Sequence, residues 1–433
     1  MDSSGMNRKV FVTGMGVVSP LGIGPSGHWD ALVSGRCAVS RLDRLTHLGF
    51  PVDIAAEVPA QALAAHVSRL PRKQLKLYNR ATTFAMIAAS LAADDAGLSA
   101  PVADPIRAGV ILATLFTPYP IHDLLGLLPG CEIEGNSNQG DMRRIQQTFM
   151  TSVNPLDASL KVLPNLTAGH IAINFGLQGH CRTVSDTCTG GMHAISQAVT
   201  AIREGELDIV LCGGAEAPME ELAFADLCAS GLLGQPAEPP ERSCRPFGRG
   251  RTGTVAGEGA TVLVLEAAEN ARRRGAPVRV EMGGFGAAFG DESVAGVQES
   301  CSRAMEAALA DSGRDAPDLV SANGDSSQVN DHAEAAALRA VFGGGRKQPA
   351  IFATKGAHGS LFSAAGPLGV ATVIMALEHG MVPPSLNCDD PDHECELVVS
   401  GAAPRALPGI RTALVNAIGA FGETASLMVV RGE

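Results

Sequence analysis

The sequence is short of positive charge. Its 33 Lys and Arg face 45 Asp and Glu, a formal net charge of −12, which argues against a general binder of nucleic acid or of an anionic membrane surface. The one basic concentration, Arg69, Arg72, Lys73, Lys76 and Arg80, reads as a solvated helix face. Charge of both signs together is 18%, too little for a disordered chain beside a 45% apolar fraction. Paired cysteines are missing: the 10 Cys are scattered without a CxxC, so no disulfide framework is implied. The nearest approach to a metal cluster, residues 388–395 with Cys388, His393 and Cys395, lacks a second ligand pair at structural-zinc spacing. It reads as a polar loop, and no metal is expected. No apolar run reaches the roughly 18 residues of a membrane span, and the opening MDSSGMNRKVFVTGMG lacks a charged-then-apolar leader. A reducing cytoplasm is the expected setting. Repeats are missing too, because the 50 Gly among 433 residues follow no fixed period, which removes collagen and solenoid arrays. With aromatics at only 4%, small residues must bring helices and strands into close contact.

Length alone is a prior for about three domains, but the pattern points to two units. Residues 10–14 predict a strand entering the turn Gly14-Met15-Gly16, residues 78–98 a helix ended by Gly97, and residues 110–115 a buried strand. Residues 124–163 are irregular and read as an excursion over the core. Residues 183–186 are extended, the turn 187–191 follows, a helix runs to Arg203, and a strand at 208–212 closes on Gly213-Gly214-Ala215-Glu216. The same order recurs: strand 350–353, turn 354–359, a helix over 364–379, and strand 412–415 closing on Gly419-Ala420-Phe421-Gly422. Two α/β halves follow, residues 1–270 and 271–433, each with a mostly parallel buried sheet.

Cys188 carries the first chemical signal. It lies between an extended segment and a helix, flanked by Thr187, Thr189 and two glycines. Unpaired N–H groups and the positive end of the helix dipole favour a thiolate there, and local N–H groups could form an oxyanion hole. On spacing alone a nucleophile and an inert buried cysteine are equally good readings.

The blocks around it resemble a family. VFVTGMGVVSPLGIG, VSDTCTGGMHAI, LCGGAEAP, CRPFGRGRTGTVAGEGATVLVLE, VNDHAEAAALRAVFG, ATKGAHGSLFSAAGP and NAIGAFGETASLMVV follow in the order of the β-ketoacyl-acyl-carrier-protein synthases. These are the condensing enzymes of fatty-acid and aromatic-polyketide synthesis. The resemblance covers almost the whole chain. It implies a thiolase-like α/β fold, two similar halves in a five-layer αβαβα arrangement, normally dimeric. It also implies a ping-pong Claisen condensation. An acyl group passes from an acyl carrier protein's phosphopantetheine to Cys188, and a malonyl-type extender loses CO2 and attacks it. No metal or redox cofactor is implied.

Carried onto this sequence, the resemblance makes His358 one of two donors to the developing enolate, with Lys355 organising the site electrostatically and paired with Glu334. The other family histidine is absent, and Asn323 stands there in Asn323-Gly324-Asp325-Ser326-Ser327. Its amide can donate but cannot exchange a proton near neutral pH. Asp325 replaces a threonine that would contact pantetheine, so its carboxylate must pair with a cation or have a raised pKa. Ser327 keeps a hydroxyl at the other contact. In the C-terminal turn the oxyanion N–H would belong to Ala420, and Phe421 belongs to an altered acyl gate. Arg251-Thr252-Gly253 lacks the family's Asp before Gly, at a position read as structural.

The leading reading is therefore a decarboxylative ketosynthase of a specialised polyketide or unusual fatty-acyl pathway, working with an acyl carrier protein as a homodimer or with a related subunit. Two others compete: a non-catalytic partner of the chain-length-factor kind, and an acyltransferase that does not decarboxylate. Chain-length-factor subunits usually lose the nucleophile, which Cys188 retains. A degradative thiolase is disfavoured, since no second cysteine sits in the C-terminal glycine turn.

Overall fold

A computed structural model describes residues 8–117, 132–133, 136–152, 160–343 and 348–432. Ten of the main sheet's eleven strands form the frame. The first half supplies β1 (Val10–Ser19), β2 (Ala108–Ala113), β3 (Cys181–Val184), β4 (Ile209–Glu216) and β5 (Gly259–Ala267). The second supplies β6 (Val280–Phe289), β7 (Leu319–Ser321), β8 (Ala350–Phe352), β9 (Thr412–Ile418) and β10 (Glu423–Arg431). Their lateral order is β8-β7-β9-β10-β6-β1-β5-β4-β2-β3. From the centre outward, each half places its first, fifth, fourth, second and third strands.

Strand directions repeat as well. The two inner pairings of each half are antiparallel and the two outer ones parallel. The expectation of mostly parallel sheets is thus corrected to mixed sheets. The physical reason lies in the fifth strand, which inserts between the first and fourth and runs against both. In the second half a turn of four residues, 419–422, joins β9 to β10, and so short a link can only return the chain antiparallel. The halves meet where β1 pairs β6 through Phe11↔Glu281 and Val12↔Val280.

Six helices complete the layers: α1 (Arg80–Asp95), α2 (Asn165–Phe175), α3 (Gly190–Arg203), α4 (Val294–Ser312), α5 (Gln328–Phe342) and α6 (Ala365–His379). Between the sheets, Ile195 and Ile202 of α3 and Val370 and Ile374 of α6 pack with Val12, Val210 and Val415. Phe84 and Ala88 of α1 and Ile171 of α2 cover Val110 and Leu112 on one outer face. Met305 of α4 and Leu338 of α5 cover Val320 and Leu414 on the other. The five-layer αβαβα expectation is met. Small residues make the layers close: a Cβ on Gly16 would overlap the Ala88 carbonyl oxygen, and one on Gly286 that of Ala304.

Residues 362–379 are apolar and long enough to span a membrane by composition, contrary to the reading that no such run exists, but 78% of that stretch is buried here. It is a core helix, apolar all round because both sheets enclose it. Of the excursion read at 124–163, the described parts are the strands Glu132–Ile133 and Asn136–Gly140, Asp141, the helix Met142–Ser152 and residues 160–163; the rest lies outside the described residues.

Candidate active site

The nucleophile candidate sits on a braced elbow. Asp186 accepts from the Thr187 N–H and from the Thr189 hydroxyl, both at 2.8 Å. The Ser363 hydroxyl, at the approach to α6, donates to the Asp186 and Thr187 carbonyls at 3.3 Å. Gly191 is where α3 touches that segment, and a Cβ there would overlap the Ser363 carbonyl and the Pro367 ring. This explains the glycine pair after Cys188: the helix must start against neighbouring backbone.

Cys188 is half-buried and lines a cavity of about 720 Å³, together with Thr187, Asp325, Ser327, Ser360, Phe362, Ala420 and Phe421. Burial pushes its thiol up to about 12; the Lys355 charge opposes this, the Asp325 and Glu423 charges add to it, and a hydrogen bond with the Ser360 hydroxyl opposes it. The expected helix-terminus stabilisation of a thiolate is outweighed, because desolvation acts on the full charge whereas the helix end offers a partial one. Phe362 has φ 47°, a left-handed conformation unusual for a bulky residue, and meets Phe116 edge-on at 5.2 Å on the cavity wall.

Asn323, Lys355 and His358 come together behind Asp325 and Ile418 of that cavity's wall, near enough for the Lys355 charge to act on Cys188. They line a separate void of about 20 Å³. Lys355 Nζ donates to Asn323 Oδ1 at 2.7 Å, and the Ile418 N–H to the same oxygen at 3.1 Å. The expected Lys355–Glu334 pairing is corrected: Glu334 instead accepts from the N–H groups of Asn323 and Gly324 and from Asn416 Nδ2. Burial raises the Glu334 pKa, with those N–H bonds and the Lys355 charge opposing. Asn323 bridges the two charges, its side-chain oxygen accepting from Lys355 and its backbone N–H donating to Glu334.

His358 is buried, and that burial pushes its pKa down to about 4, so it is neutral at pH 7. Its Nδ1 lies 2.8 Å from the Gly359 carbonyl, which can only accept, so the proton belongs on Nδ1 and Nε2 accepts from the Thr354 hydroxyl. The residue facing Cys188 from this segment is Ser360, which the sequence reading missed. Lys355 and His358 lie three apart on a one-turn helix, Lys355–His358, and share a face. Gly359, with φ 69°, then reverses the chain and sends Ser360 to the other side. The signal available in the sequence was that glycine directly after the histidine.

Asp325 is buried in the cavity wall, and among the described residues no cation pairs with it. Its donors are Asn323 Nδ2 at 3.1 Å, Asn330 Nδ2 at 2.9 Å and the Ser327 N–H at 2.9 Å. Ser327 caps α5 by accepting from the Asn330 N–H at 3.2 Å. No His, Lys or Arg lines the 720 Å³ cavity among the described residues.

A thiol on a strand-to-helix elbow, set between two repeated α/β halves and open to a mostly apolar cavity, is the arrangement of the thiolase-like class. Residues 7–271 match the Beta-ketoacyl synthase, N-terminal domain, and residues 280–389 its C-terminal domain. The chain belongs to the beta-ketoacyl synthase family, and is a condensing ketosynthase of acyltransferase type. It is 34% identical over 400 residues to the Putative polyketide beta-ketoacyl synthase 1 of Streptomyces halstedii, covering 90% of this chain and 91% of that one. Among solved structures it resembles a type II PKS acyl-carrier protein in complex with its ketosynthase bound to the hexaketide (26% identity, TM-score 0.82, 98% of this chain and 100% of that one). It also resembles the ishigamide ketosynthase/chain length factor (29% identity, TM-score 0.81, 98% and 100%).

Proposed function

We propose that this ketosynthase extends acyl chains in a specialised polyketide or unusual fatty-acyl pathway, with Cys188 as the acylated nucleophile. The observation that carries the reading is Cys188 on the elbow, open to the 720 Å³ cavity beside the Ser360 hydroxyl and the Ala420 turn. In the first step the Cys188 sulfur attacks a carrier thioester; the carrier's thiolate leaves and takes up the proton that Cys188 gives away. In the second, a malonyl thioester loses CO2, its enolate carbon attacks the acyl carbonyl, a C–C bond forms and the C–S bond to Cys188 breaks. The Cys188 and Ala420 N–H groups hold the acyl oxygen, and the Ser360 hydroxyl is the neutral donor nearest the sulfur. Asn323, with Lys355 behind it, positions Asp325 at the wall where pantetheine enters, and Ser327 offers the second contact there.

The relative solved with its acyl carrier supports a phosphopantetheine-bearing acyl carrier protein as substrate donor. The ketosynthase/chain length factor neighbour supports pairing with a second ketosynthase-like chain, identical or related. The exposed start of β3, an edge of the main sheet, offers unpaired backbone for such pairing. The reaction takes place in the cytoplasm and uses no metal or redox cofactor of its own.

One observation favours a second reading, acyl transfer to an alcohol or amine without decarboxylation: among the described residues the cavity wall carries no imidazole, and His358 lines a different void. Intact-mass analysis after an acyl carrier is added, then CO2 release after a malonyl carrier is added, separates the two. Loading followed by CO2 and a β-ketoacyl product supports condensation. Loading without CO2, discharged by an alcohol or amine, supports the second reading. Failure to load any carrier-borne acyl group contradicts both.

A further inference from the structure

We infer that Glu423 holds one oxyanion donor in advance of substrate: its carboxylate is an anion supplied by the chain itself to the Ala420 N–H, which the substrate carbonyl must later use. The inference rests on Cys188 being the nucleophile, and Glu423 acts as a positioning residue.

Glu423 opens β10, immediately after the turn 419–422, and is buried. Its Oε2 accepts from the Phe421 N–H at 2.9 Å, and the Ala420 amide faces the same carboxylate. Its Oε1 accepts from the hydroxyl of Thr187, the residue before Cys188. A Cβ on Gly419 would overlap both Glu423 Oε1 and Thr187 Oγ1, so turn, carboxylate and elbow form one packed unit. No cation pairs with Glu423 among the described residues. Asp186 is the charge that bears on it most, and burial, with Asp186 adding, raises its pKa. The Cys188 N–H makes no hydrogen bond among the described residues.

A carboxylate met only by neutral N–H and O–H donors has the chemistry of a bound oxyanion. Donors arranged to meet charge that develops in a reaction are attractive to any anion within reach. Glu423 is such an anion, tethered one residue from the turn. A thioester carbonyl that takes the Ala420 N–H therefore has to displace it, and displacement releases the turn from Thr187. Opening of the gate and exposure of the Ala420 donor become one event.

Two variants test this, Glu423→Gln and Glu423→Ala, with Glu423→Asp as the charge-retaining control. Alkylation of Cys188 by iodoacetamide across pH needs no carrier and is independent of the ketosynthase reading. The charges facing the thiol are Lys355, Asp325 and Glu423. Removing Glu423's charge leaves the other two, so the alkylation midpoint should fall to lower pH in the Gln and Ala variants and stay near wild type in the Asp variant. The maximal rate of acyl loading from an N-acetylcysteamine thioester should rise, on the order of tenfold, in the Ala variant. A midpoint unmoved in both neutral variants overturns the inference, as does loading that slows in the Gln and Ala variants alike. If wild type loads no thioester, the proposed function fails, and the alkylation midpoint still decides Glu423.

Discussion

Asn323→Ala should destabilise the fold by about 3 kcal/mol, chiefly because it strands Lys355. The Asn323 amide oxygen accepts from Lys355 Nζ at 2.7 Å and from the Ile418 N–H at 3.1 Å, and its Nδ2 donates to Asp325 at 3.1 Å. All of this is buried, and Lys355 has no other hydrogen-bond partner among the described residues. A bond to an ammonium contributes about 1.5–3 kcal/mol and each neutral bond about 1 kcal/mol. Attraction from Glu334 returns part of the loss, which leaves about 3 kcal/mol. Lys355→Met should cost only about 1 kcal/mol, since the amide oxygen keeps Ile418. In the double variant no ammonium remains to be stranded, so the cycle should show a coupling of at least about 1.5 kcal/mol. Urea unfolding of the four proteins at pH 7, compared at constant m, measures it. An Asn323→Ala cost below about 1 kcal/mol, or an additive cycle, would refute the reasoning. The same geometry means that lost CO2 release in Asn323→Ala also reports a displaced Lys355.

Gly191→Ala should abolish soluble expression or cost more than about 3 kcal/mol, because the added methyl overlaps the Ser363 carbonyl and the Pro367 ring; a thermal melt within a few degrees of wild type would contradict this. His28, buried and with its pKa lowered to about 3 by burial, stays neutral in the fold while the unfolded chain protonates near the ordinary 6.5. Stability from the neutral ring is thus present above pH 6.5 and is lost as pH falls towards 3, about 2 kcal/mol of it between pH 7 and 5. His28→Phe should remove that slope from urea-derived stabilities; equal slopes in both proteins would show that the site is not desolvated. Native mass spectrometry at micromolar concentration should show two chains per particle, and a monomer with full activity would contradict the pairing proposed at the β3 edge.

The repeated strand–turn–helix order was legible because each long element carries its own apolar run and glycine punctuation. β7 and β8 are three residues each, too short to carry a period, and β7 was not foreseen. Sheet direction was harder to read for a different reason: β5 and β10 also pair with β1 and β6, far away in sequence, and only the short turn 419–422 records a direction locally. At the site, Cys188, Asp325, Ser327, Ala420 and Phe421 could be read from motif, and the structure lines one cavity with all five. His358 could not be told from Ser360, because a single glycine with positive φ, Gly359, separates two side chains that face different voids. The thiol's electrostatics were misread because the helix end is local and visible, whereas burial belongs to the whole fold. Glu423 escaped notice since it acts across a turn on a residue 236 positions away.

The central claim, that Cys188 carries the acyl group, is tested most directly by peptide mapping of protein loaded from an acyl carrier. The account predicts the added mass on the peptide containing Cys188 and no added mass in Cys188→Ala. Loading of Cys188→Ala at wild-type stoichiometry, or the mass on a different peptide, would contradict it.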